Sequence, residues 1–125
     1  MRVITGKARG VVLKTPKGLS TRPTADRVKE ALFSIIQYDV PSAKVLDLFA
    51  GTGAIGIEAL SRGAEYACFV EKDRRIRNLV EENLQFTKLI DRSRIINGDV
   101  LSVLPQLERE RPFDIIFMDP PFQHE

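Results

Sequence analysis

Asp119-Pro120-Pro121-Phe122 is the stretch of this sequence best suited to handling an amine. Two prolines fix the backbone and remove N–H donors, so the local carbonyls are presented rigidly. The Asp119 carboxylate and the Pro120 carbonyl could together accept the two hydrogens of an amino group. That would turn the nitrogen lone pair toward an electrophile. Phe122 can stack on a planar ring carrying the amine, as aromatic side chains do with unstacked bases. The gain is positioning, with charge relieved as the amine becomes cationic. Read alone, the same residues are equally a Pro-Pro loop ending a strand.

A place for the electrophile comes from Val45 to Leu60, an apolar run that enters a glycine corner and leaves as helix formers. Gly51, Gly53 and Gly56 spell GxGxxG, whose glycines allow a tight turn, close approach to a ligand and close helix-on-strand packing. The helix after the corner aims N–H groups and a positive dipole end at whatever lies over the turn. Asp47 sits just before the corner. Glu71 follows a second apolar run, twenty residues after Gly51, where a carboxylate accepts ribose hydroxyls in dinucleotide folds. Asp99 could accept from an adenine N–H with Val100 against the ring, or simply cap the next helix. Phe49, Thr52 and Lys72 flank these positions and complete the candidate cofactor set. These features point to a nucleoside-containing ligand, the alternative being a corner that only turns the chain.

The elements that position these residues alternate. Strands are expected at residues 44–48, 66–70, 94–97 and 113–118, and helices at 55–62, 74–86 and around 101–107. Gly63 is a helix stop and Asp73 a helix cap. Alternation of this kind argues for a parallel sheet with right-handed crossovers, and near-continuous apolar strands for burial on both faces. Upstream, Val3-Ile4 and Val11-Val12-Leu13 predict a hairpin or loose ribbon, followed by a loop over residues 14–23. Thr24 is expected to cap a helix over 25–37, with Val28, Leu32, Ile35 and Ile36 inward and Arg27 and Lys29 pointing elsewhere.

Length and composition set outer bounds. The 125 residues suffice for one small domain, and the hydrophobic fraction of 43% with 29% charged residues is ordinary for a globular protein. No apolar run approaches a membrane span, no signal-peptide segment is evident, and the lone Cys68 reads as a small buried hydrophobe. A cytoplasmic protein is expected. The net charge of +2 conceals a segregation, because residues 1–29 hold eight Lys or Arg against Asp26 alone. A basic N-terminus suggests phosphate contacts and hence nucleic acid, or else a solvated arm. His124, beside the end of the sequence, is expected to be solvated.

Taken together, DLFAGTGAIGIEAL, the strand-end Glu71, Gly98-Asp99-Val100 and Asp119 to Phe122 resemble an amino-methylating class I methyltransferase that uses S-adenosylmethionine. Arg22-Pro23-Thr24-Ala25-Asp26-Arg27-Val28-Lys29-Glu30-Ala31-Leu32-Phe33, with Arg9-Gly10 upstream, is similar to the RsmD-like family, bacterial enzymes acting on guanine N2 of small-subunit (16S) ribosomal RNA. The resemblance implies an α/β, Rossmann-like fold with an N-terminal hairpin extension, residues 1–23, ahead of a methyltransferase domain, residues 24–125. It implies that Asp47, Gly51 and Gly53 border the methionine end of S-adenosylmethionine, that Glu71 binds the ribose, and that Asp99 and Val100 bind the adenine. Asp119, Pro120, Pro121 and Phe122 would hold the guanine amine. Arg2, Lys7, Arg9 and Arg27 would lie toward the RNA, and Arg22 and Thr24 near the cofactor or the RNA. No metal is implied, since a sulfonium leaving group is already activated.

The family carries further strands after this motif, so the chain is expected to be the cofactor half of a longer, monomeric enzyme acting on RNA or a partly assembled subunit. Its fourth strand would then be an exposed apolar edge. Two other readings remain: a DNA adenine-N6 methyltransferase, which shares the [DN]PP[FY] loop, and a non-catalytic nucleotide- or RNA-binding module. A nicotinamide dehydrogenase has no use for Asp119 to Phe122.

Overall fold

The computed structural model describes residues 1–15, 23–110 and 112–118, with residues 23–25 described by their backbone alone. Strands β1 (Lys44–Asp47), β2 (Tyr66–Glu71), β3 (Ser93–Asn97) and β4 (Ile115–Phe117) form one sheet. Helices α1 (Pro23–Ile35), α2 (Ala54–Ser61), α3 (Arg74–Phe86) and α4 (Val100–Glu108) precede or connect them. The strand order is β3-β2-β1-β4, and every pairing is parallel. The chain therefore starts in the interior at β1, moves outward to β3, and crosses back to β4 on the other side of β1. Such a reversal opens a crevice beyond the carboxyl ends of the central strands, where open α/β sheets bind ligands.

Alternate residues of each strand feed two apolar layers, as strands buried on both faces require. Val45, Ala67, Phe69 and Phe117 join Phe33 of α1, Ile57 and Leu60 of α2, and Val80 and Leu84 of α3 on one face. Leu46, Leu48, Cys68, Val70 and Ile96 join Val103 of α4 on the other. Gly56 brings α2 down onto β2: a Cβ there would lie 2.3 Å from the Phe69 ring, so only glycine fits. Cys68 is fully buried, and burial pushes its thiol up to about 12 from the usual 9.0, which keeps it protonated and inert. Ile116 of β4 and Met118 just after it are exposed, and among the described residues the strand pairs only with β1, as expected of an apolar edge.

The N-terminal segment forms the expected loose ribbon. An antiparallel bridge joins Arg2 to Val12, with the Val3 N–H donating to Val11 O at 2.9 Å and the Leu13 N–H to Met1 O at 2.8 Å. Val3, Ala8 and Leu13 belong to the same core as Phe33. No helix of the described residues is long and apolar enough to cross a membrane.

Helix α1 departs from expectation in two ways. It begins at Pro23, so Thr24 lies inside the helix and is not its cap; a proline at the first helical position has no N–H to leave unpaired. Its inward face is also rotated. Val28 and Ile35 are 63% and 80% exposed, while Leu32 and Phe33 face the core and Lys29 is buried. The cause is non-local: the Lys29 ammonium lies 3.2 Å from the Glu58 carboxylate of α2 and donates to the Arg2 carbonyl at 2.7 Å. Burial pulls Lys29 below the ordinary lysine value of 10.5, with Glu58 acting in the opposite sense.

Candidate functional site

The parallel register brings the carboxyl ends of the strands to one edge. Asp47 is opposite Phe69 on one side and Phe117 on the other, and Phe69 is opposite Ile95. The Leu48 N–H donates to Phe117 O at 3.1 Å and the Ala50 N–H to Val70 O at 3.1 Å, extending the pairing past β1 into the turn. Asp47 itself is buried at this edge.

The corner is built by two left-handed glycines, Gly51 at φ +54° and Gly53 at φ +82°. At Gly51 a Cβ would meet nothing within 4 Å, so the backbone here faces open space that a ligand can approach. Gly53 occupies the N-cap of α2 with no side-chain cap, so no capping side chain satisfies the first amides of α2.

Glu71 ties the corner to β2. One carboxylate oxygen accepts from the Gly51 N–H at 3.1 Å and the other from the Asp73 N–H at 3.0 Å. A carboxylate offers about four lone-pair sites, so acceptor capacity remains for hydroxyls. Lys72, next along, is exposed, and its carbonyl accepts from Arg77 at 2.7 Å. At the end of β3 the Gly98 N–H donates to Glu71 O at 3.3 Å, which places Asp99 beside this carboxylate strand end.

Asp99 is the N-cap of α4, accepting from the Ser102 N–H at 2.9 Å, so the capping alternative is what the structure shows. Capping uses one lone pair of an exposed group and leaves others available. Phe49 and Val100 both pack, partly buried, against the apolar layer that holds Leu48 and Val70. Thr52 lies between the two left-handed glycines, half-buried.

The remaining expected residues divide. Arg2, Lys7, Arg9 and Arg27 are exposed, as phosphate contacts require. Lys14 pairs with Glu82 at 3.1 Å, and Lys29 is withdrawn into the core. Arg22 and the Asp119, Pro120, Pro121 and Phe122 stretch lie outside the described residues, and Thr24 is described only as helical backbone. β4 ends at Phe117, level with Asp47, so the chain leaves the sheet at the crevice two residues before Asp119.

Two buried groups escaped the sequence reading. Glu58, fully buried in the apolar α2, accepts from the Ile4 and Thr5 N–H groups and pairs with Lys29 and Arg62. A lone carboxylate among Ile, Ala and Leu was the signal. Asn83, in α3, bonds the backbone of both Lys14 and Thr52. Nothing in its local sequence distinguished it.

Glu71→Ala is expected to weaken binding of an adenine nucleoside cofactor by about 1–3 kcal/mol, the loss of charge-assisted hydrogen bonds. Calorimetric titration reads this directly; an unchanged affinity would contradict the ribose assignment.

The family model described as Conserved hypothetical protein 95 matches residues 1–125. The Ribosomal RNA small subunit methyltransferase D of Haemophilus influenzae is 40% identical over 98% of this chain and 64% of its own length. That of Escherichia coli K12 is 41% identical over 98% of this chain and 61% of its own. The solved structure of yhhF from Escherichia coli is 42% identical, with a TM-score of 0.86 over 98% of this chain and 65% of that one. The chain thus spans less than two thirds of the length of these three proteins.

Proposed function

The chain belongs to the Conserved hypothetical protein 95 family, that of the RsmD-like methyltransferases, and we propose that it transfers a methyl group from S-adenosylmethionine to the exocyclic N2 amine of a guanine in small-subunit ribosomal RNA. One observation carries the reading. The open Gly51 corner is hydrogen-bonded to Glu71 at the crevice of a parallel sheet, in a chain about 40% identical to small-subunit RNA methyltransferases.

The residues fit the cofactor. Gly51 leaves space for close approach, Glu71 retains acceptor capacity for ribose hydroxyls, and Phe49 and Val100 offer apolar surface to adenine. Asp47, Gly51, Thr52 and Gly53 would border the methionine end, with Lys72 and Asp99 at the nucleoside end. When bound, S-adenosylmethionine supplies an activated methyl group on a sulfonium.

The chain's own part is to place and desolvate the amine. The Asp119 carboxylate and the Pro120 carbonyl accept the two amine hydrogens, Pro121 stiffens the loop, and Phe122 stacks on the guanine. As nitrogen becomes cationic, these acceptors stabilise the developing charge, and the surplus proton leaves along the hydrogen bond to the Asp119 carboxylate and from there to solvent. The exposed Arg2, Lys7, Arg9 and Arg27, with Arg22 and Thr24, would hold RNA phosphates and give a salt-dependent share of affinity. The target base must be unstacked to reach the crevice.

The test is incubation with methyl-labelled S-adenosylmethionine and small-subunit ribosomal RNA, followed by digestion to nucleosides. Label in N2-methylguanosine is the expected result. Label in any other nucleoside, or transfer to an equal amount of DNA in a parallel incubation and none to the RNA, would overturn the proposal.

A further inference from the structure

We propose that Asn83 is a positioning residue for the cofactor turn, and that it couples occupancy of the turn to the seat of the N-terminal segment. This rests on the cofactor reading above and extends it to a residue outside the crevice.

Asn83 is fully buried in α3. Its Oδ1 accepts from the Lys14 N–H at 2.8 Å, and its Nδ2 donates to Lys14 O and Thr52 O, each at 3.0 Å. Both amide hydrogens and the oxygen are therefore used, and the Lys14 N–H fixes which end of the amide faces it. Lys14 is gripped through its two backbone groups, as a neighbouring strand would grip it. Its ammonium is held by the same helix, against Glu82 at 3.1 Å and over the Phe86 ring at 5.6 Å.

The other arm reaches the turn. Thr52 lies between the left-handed Gly51 and Gly53, and the peptide joining Thr52 to Gly53 is held at both ends. Its carbonyl accepts from Asn83, and its N–H donates to Ala50 O at 2.8 Å. Fixing that peptide plane fixes the path of Gly51, whose N–H meets Glu71. A shape-filling leucine could occupy the space of Asn83 but could not orient this peptide. A fully satisfied buried amide instead specifies one arrangement. Because one side chain holds both segments, a ligand that orders the turn must also favour the docked N-terminal segment, and the reverse, by linkage.

The test is calorimetric titration with S-adenosylhomocysteine of the wild type, Asn83→Ala, Asn83→Asp and a control, Leu84→Ala. Asn83→Asp keeps the acceptor for Lys14 and sets a carboxylate against the Lys14 and Thr52 carbonyls. Leu84→Ala opens a cavity one residue away in the apolar core, destabilising the same helix without removing a hydrogen bond to the turn. Both Asn83 variants are expected to bind about tenfold more weakly, the scale of one buried hydrogen bond, and Leu84→Ala to bind within about twofold of wild type. Equal affinity in a folded Asn83 variant, or an equal loss in Leu84→Ala, overturns the proposal while leaving the cofactor reading intact. A wild type that does not bind overturns both.

Hydrogen exchange on the wild type tests the coupling without any variant. S-adenosylhomocysteine is expected to slow exchange of the Lys14 amide more than that of amides in α1. No difference at Lys14 with the ligand bound overturns the coupling.

Discussion

Asp119→Ala is expected to lower the rate of methyl transfer by at least about 10²-fold while leaving affinity for S-adenosylmethionine within a few-fold. The carboxylate would act on the amine, beyond β4, whereas the cofactor would be held by the Gly51 corner, Glu71 and the start of α4. These are different strand ends. Under the proposed function, loss of Asp119 would remove an acceptor that orients the lone pair and stabilises charge as nitrogen becomes cationic, so the effect would fall on the chemical step. Single-turnover methylation and calorimetric titration measure the two quantities separately. Loss of cofactor affinity in parallel with rate would contradict the division of the crevice into two halves.

Glu58→Ala is expected to cost about 3–5 kcal/mol of folding stability, the range for removing one partner of a buried ion pair. Glu58 is wholly buried, and three separate segments converge on it: the Ile4 and Thr5 amides at 2.9 and 3.0 Å, Lys29 at 3.2 Å and Arg62 at 2.8 Å. Removing the carboxylate leaves an ammonium in the core and two amides without acceptors. A double variant, Glu58→Leu with Lys29→Met, should recover much of the loss, because it removes the stranded charge as well. Urea unfolding at neutral pH checks both. A single-variant loss under about 1 kcal/mol would contradict the account of Glu58 as the anchor of the N-terminal segment.

What was legible in the sequence was what local physics decides. Helix α3 runs from Arg74 to Phe86 as its pattern and the Asp73 cap foretell, with Asp73 accepting from the Arg75 and Ile76 amides. The glycine corner was equally legible, since left-handed φ at Gly51 and Gly53 and the tight packing at Gly56 are properties of glycine itself. The parallel pairing followed from alternation of strands and helices, whereas the strand order did not.

Non-local partners were not legible. Lys29 reads as a solvent-facing cation until Glu58, twenty-nine residues further on, is brought against it; of the apolar stripe expected for α1, Leu32 and Ile36 pack against the core while Val28 and Ile35 are exposed. Asn83 looks like any polar residue of an amphipathic helix, because its bonds reach 69 residues back and 31 residues back along the chain. Asp99 kept both of its readings. The cap is a local bond and the structure shows it, whereas a nucleoside contact depends on a ligand.

The Gly51 corner and Glu71 are expected to seat S-adenosylmethionine. Calorimetric titration of this chain with S-adenosylmethionine, with NADH as the control, tests it most directly. Saturable binding of the methyl donor with no heat from NADH is the predicted result. Binding of NADH in its place, or no binding of the methyl donor, would contradict the claim.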